Sequence, residues 1–95
     1  MDLTAAYRLD PQVSLRPEPF GALAYHFGTR RLSFLRHPDI VAVVDSLAEH
    51  PSVEATLRSC GVEPARWPSF LRALETLESS AMIVQVDPGE AARVA

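Results

Sequence analysis

The chain has 95 residues, 47% of them hydrophobic, one cysteine and a net charge of −3. That is room for one domain with one core, and too little for a buried enzyme cleft together with its scaffold. No apolar run approaches the roughly 20 residues that span a bilayer, and the acids in Met1–Gln12 replace the apolar stretch of a signal peptide. Cys60 has no partner for an internal disulfide, and the expectation is a cytoplasmic protein. The charge is uneven: residues 1–37 carry +2 and residues 38–95 carry −5. An acidic balance argues against nucleic acid, whose binding rests on neutralising phosphates.

Residues 1–12 show no period and are expected to be a flexible arm, followed by one domain over residues 13–90 and a frayed end at 91–95. Val13–Arg16 alternates and predicts a short strand; Pro17 and Pro19 end it and place it at a sheet edge. Phe20–Leu35, FGALAYHFGTRRLSFL, reads as a hairpin around Gly28-Thr29, with Gly28 supplying the positive φ of a two-residue turn. That turn pairs Phe27 with Arg30, Tyr25 with Leu32 and Leu23 with Phe34. One face then carries Leu23, Tyr25, Phe27, Leu32 and Phe34, and the other Ala22, Ala24, His26, Arg31, Ser33 and Leu35. A lone hairpin is marginal in water, so the helices are expected to cover its apolar face. Its second arm holds no proline and leaves an open edge.

Pro38 and Asp39 open a helix whose stripe is Ile40, Val43, Val44 and Leu47, stopped at His50-Pro51. Ser52 is the expected N-cap of a second helix ending near Cys60, with Gly61 at its C′ position. A third helix follows Pro68, with the stripe Phe70, Leu71, Leu74, Leu77 and Ala81. Met82–Val86 predicts an extra C-terminal strand, closed by a turn at Asp87-Pro88-Gly89. The expected fold is α+β: an N-terminal three-stranded antiparallel sheet on three helices, in the element order of a winged helix-turn-helix.

His26, His37, His50 and Cys60 share no metal-ligand spacing, and no nucleotide-binding or nucleophile motif occurs. The carboxylates are scattered as on a solvated surface, so no catalysis, metal or cofactor is expected. A winged-helix DNA-binding regulator is the alternative. Its recognition helix would lie in Pro64–Ser80, where Arg66 and Arg72 balance Glu75 and Glu78 and leave nothing for phosphates. The open hairpin edge offers another use, the addition of an extended peptide as a further strand. Arg30, Arg31 and Arg36 would favour an acidic one, or else serve as gatekeepers against edge-to-edge aggregation. Pairing of that edge with a second copy is a third reading.

The run LRPEPFGALAYHFGTRRLSFL (residues 15–35) resembles the peptide chaperones of mycofactocin biosynthesis. These are precursor-peptide recognition elements, similar to the chaperone of pyrroloquinoline-quinone biosynthesis. The likeness continues through Pro38–Glu49 and Trp67–Leu77. It implies that the leader of a ribosomally made precursor binds as an added strand along the hairpin's second arm, against the third helix. It also implies delivery to a radical S-adenosylmethionine maturase, which holds the iron–sulfur chemistry and modifies a C-terminal Val-Tyr. Carried onto this chain, the peptide site is Arg30, Arg31, Leu32, Ser33, Phe34 and Leu35, walled by Leu71, Leu74, Glu75 and Glu78. The partners are then the leader and the maturase, with no nucleic acid or membrane, and the chain is a monomer or homodimer. Whether Met82–Val86 blocks the groove is left open.

Overall fold

The computed structural model describes residues 1–86; the expected turn at 87–89 and the frayed end lie outside them. The strands are β1 (Tyr7–Leu9), β2 (Val13–Glu18), β3 (Gly21–His26), β4 (Leu32–Leu35) and β5 (Ile83–Gln85). The α-helices are α1 (Pro38–Ser46), α2 (Val53–Ser59) and α3 (Trp67–Ser79), with single 3₁₀ turns at Leu47–Glu49 and Pro64–Arg66. β2, β3 and β4 form an antiparallel sheet in that order, and β1 pairs with β5 in a separate ribbon.

The hairpin register is the expected one, with Leu23 opposite Phe34 and Tyr25 opposite Leu32. Its turn differs. The His26 carbonyl accepts from the Arg30 N–H at 2.7 Å, which makes Phe27–Arg30 a four-residue loop. The positive φ falls on Arg30, at 60°, and not on Gly28. The cause is His26, whose Nδ1 accepts from the N–H groups of Gly28 and Thr29, both at 3.0 Å. Gly28 supplies room instead, since a Cβ there would run into the Gln12 side chain. Loops of two and four residues share one centre, so the strand register survives the change.

The larger departure concerns which face of the hairpin is covered. Ala22, Ala24, His26 and Leu35 are buried, whereas Phe27, Leu32 and Phe34 are more than half exposed. The helices therefore cover the small-residue face, the reverse of the expectation. Packing explains the choice. Ala22 and Ala24 let a helix approach closely, and α1 presents Ile40, Val43 and Val44 as the bulk that fills the gap. A face built of Leu23, Tyr25 and Phe27 would hold α1 away and leave voids.

The expected loose arm at residues 1–12 is also tied down. Tyr7 is buried, and β1 pairs with β5 with Tyr7 opposite Gln85 and Leu9 opposite Ile83. The carbonyls of Leu3 and Ala5 accept from the first-turn N–H groups of α2, Glu54 and Val53, both at 3.0 Å. A helix start leaves such donors unsatisfied, and the arm answers two of them. Burial, and after it the Glu78 carboxylate, raises the Tyr7 phenol above its ordinary value. The folded chain thus holds that proton more tightly than the unfolded chain. This contribution is complete below about pH 10 and is lost as pH climbs through the raised value. Tyr7→Phe is expected to flatten the decline of stability above about pH 10 in denaturant titrations. An alkaline limb identical to wild type would assign that decline to another group.

The helices start and stop as the residues require. The Ser52 hydroxyl accepts from the Ala55 N–H at 3.1 Å, and Gly61 takes φ 73° just past α2. Ser52→Ala is expected to cost about 1 kcal/mol of stability, read as a shifted denaturation midpoint at constant slope. α3 is set by Trp67, whose Nε1 donates to the Val62 carbonyl at 2.9 Å, and by Arg66, whose Nη1 meets Asp39 Oδ2 at 3.0 Å. The second contact ties the beginnings of α1 and α3 together, on the side where β4 ends.

Candidate functional site

β4 is the last strand of its sheet, and among the described residues nothing pairs with its outer edge. β5, the strand that could have capped it, lies against β1 instead. Two bonds set the phase of the ladder: the His26 N–H to the Arg31 carbonyl at 3.0 Å and the Phe27 N–H to the Gln12 carbonyl at 2.9 Å. Antiparallel bonding alternates, so Ser33 and Leu35 turn their backbone groups to β3. Leu32 and Phe34 turn theirs outward. The side chains alternate too, with Leu35 buried toward the helices and Leu32 and Phe34 exposed on the outer face.

Between this edge and α3 runs a groove of about 560 Å³. Leu32–Leu35 form one wall and Arg36, His37 and Ile40 one end. The opposite wall is Arg66, Ser69, Phe70, Ala73, Thr76 and Leu77 of the helix and the turn before it. Those positions step by three and four, one face of a helix. The lining is apolar at its centre, and its only full-time charges are the cations Arg36 and Arg66. Arg36 lies over the Phe34 ring at 5.5 Å and Arg66 over the Phe70 ring at 5.0 Å. Arg66 is already paired with Asp39, whereas Arg36 on its aromatic rim gives an incoming carboxylate a partner without filling the channel.

Of the residues expected at the site, Leu32, Ser33, Phe34 and Leu35 line the groove. Arg30 in the hairpin loop and Arg31 just after it stand exposed and do not line the groove. The expected helix wall is displaced. Leu74 is 0% exposed in the core, Leu71 packs half-buried against it, and Glu75 reaches the Met1 amino group at 3.3 Å on another side. Glu78 lies by Tyr7. Positions 70, 73 and 77 take the place of 71, 74 and 78. One residue is about 100° around a helix, enough to turn a wall into a core or a far side. The stripe was legible, but nothing in it says which flank β4 will adjoin. Ala73 and Thr76 carried no sequence signal for a site. Phe70 and Leu77, members of the apolar stripe, belong to the core and stand at one border of the groove.

An open strand edge above an apolar, cation-rimmed groove is the architecture of a domain that takes up an extended peptide. Among the described residues no group of three or more His, Cys, Asp or Glu could hold a metal, and no helix is long and apolar enough to cross a membrane. The family model of the peptide chaperone MftB family matches residues 6–84, and the chain belongs to that family. It is 52% identical over 83 residues to the peptide chaperone MftB of Mycobacterium ulcerans, across 87% of this chain and 76% of that one. The same-named proteins of Mycobacterium tuberculosis and Mycolicibacterium smegmatis are 49% and 48% identical, across 87% and 92% of this chain and 76% and 85% of theirs. A chaperone is a non-catalytic role, and the relatives carry that name. No solved structure matches the chain.

Proposed function

We propose that this chain binds the leader of a ribosomally made precursor peptide as a fourth strand on β4 and delivers it, in the cytoplasm, to a radical S-adenosylmethionine maturase of mycofactocin biosynthesis. The observation that carries the reading is the unpaired outer edge of β4 over the groove against α3. The outward N–H and C=O groups of Leu32 and Phe34 supply backbone bonds and therefore affinity. Side chains of the peptide that point inward meet Phe70, Ala73 and Leu77, which select small or apolar residues at alternate positions. Arg36 favours an acidic leader and speeds its arrival. The iron–sulfur chemistry rests with the maturase.

An amide NMR titration with an acidic leader peptide tests this directly. Shifts concentrated at Leu32–Leu35 and at Phe70, Ala73 and Leu77 are expected. A response to duplex DNA with none to the leader would replace this reading by that of a regulator.

A further inference from the structure

The four exposed large hydrophobic residues among the described ones all belong to the outer side of the sheet: Phe20 at 40%, Phe27 at 59%, Leu32 at 54% and Phe34 at 55% exposure. They are organised, not scattered. The Phe20 and Phe34 rings lie 6.0 Å apart, and Tyr25 meets Phe27 edge-on at 5.2 Å. Leu23 fills the middle of β3 between them, half-buried. Contiguous patches of this kind mark surfaces that meet another body. The peptide groove does not use most of this face, since it opens on the helix side of β4.

The rim names the partner's chemistry. Arg16, opposite Leu23 on the outer face, Arg30 in the turn and Arg36 over the Phe34 ring stand at the border of the patch, and residues 13–36 hold one carboxylate, Glu18. Glu18 is already occupied by Arg16 at 3.3 Å. A second copy docking through the same face would set these arginines against their own equivalents. A bilayer is disfavoured as well, because residues 38–95 carry −5 and an anionic surface would repel them.

Resting on the peptide-chaperone reading, we infer that the outer sheet face is the docking surface for the maturase, which meets it with an apolar patch ringed by carboxylates. A leader bound on β4 widens that face, because every second side chain of an added strand points to the outer side. The leader takes the edge of β4 and the enzyme meets the outer face of the sheet, so the two do not compete. The loaded protein offers the enzyme more surface than the empty one, so enzyme affinity rises with loading.

The test uses the full chain, an acidic leader peptide and the purified maturase. Tyr25→Thr with Phe27→Ser removes the centre of the patch away from the groove. Arg16→Glu reverses the rim at an exposed position, at the loss of only a surface ion pair with Glu18. Leader affinity by calorimetry is expected to be unchanged in both, while the leader-loaded variants bind immobilised maturase roughly tenfold more weakly. The Arg16→Glu deficit should shrink in high salt. Wild-type maturase affinity with leader binding retained would overturn the docking surface alone. Absence of leader binding by wild-type protein would bring down the peptide reading and this inference with it. Loss in the variants of self-association, or of binding to phosphatidylglycerol vesicles, with the maturase unaffected would also overturn it.

Discussion

Ala73→Trp is expected to abolish the proposed leader binding while changing folding stability by no more than about 1 kcal/mol, and its neighbour change Leu74→Ala is expected to do the reverse. Ala73 is a half-buried residue in the middle of the groove's helix wall, and a tryptophan there occupies the channel that a peptide side chain would enter. Affinity should fall by at least about a hundredfold, since binding then needs the indole expelled or the strand displaced. Leu74 is wholly buried. Truncating it leaves a cavity and costs about 3 kcal/mol, read from the denaturation midpoint, with leader affinity of the folded fraction nearly unchanged. Calorimetry and urea titration on both variants check the pair. Equal effects of both changes on binding would show that the groove against α3 is not where the peptide lies.

The second expected result comes from the strand. Phe34→Pro deletes an N–H that points outward from β4, whereas Ser33→Pro deletes one that bonds to β3. The first should leave the sheet intact and weaken leader binding by about tenfold, through one lost bond and the bulk of the ring facing the incoming strand. The second should cost about 1–3 kcal/mol of stability, because it orphans a carbonyl inside the ladder. Phe34→Ala separates the loss of the aromatic side chain from the loss of the donor. If Phe34→Pro and Phe34→Ala bind alike, backbone pairing plays no part in recognition, and strand addition fails as the mode.

Both results turn on phase, and phase marks the line between what residues reveal and what packing decides. Ile40, Val43, Val44 and Leu47 form a stripe that any burial would use, and all four are buried. Ser52 and Gly61 bracket α2 by local chemistry that acts wherever the helix sits. The register of the hairpin was legible because it depends on the centre of the turn, and the centre survived the replacement of a Gly28-Thr29 turn by a loop of residues 27–30. Such features depend on neighbours in sequence, so the chain alone determined them.

Other features depend on what lies across a gap, and only the tertiary structure decided them. Both faces of β3 alternate equally well. The Ala22–Ala24 side was buried because α1 could approach it closely and fill it, which left the aromatic side bare. The wall of the groove passed from Leu71 and Leu74 to Phe70 and Ala73 because the contacts of Arg66 with Asp39 and of Trp67 with Val62 set the rotation of α3. β1 is three residues of unremarkable alternation, and it became a strand because β5, from the far end of the chain, supplied the partner. That pairing also kept β5 away from β4. Local interactions choose the elements at short range; which edge stays open is settled by long-range packing, where close fit outweighs hydrophobicity alone.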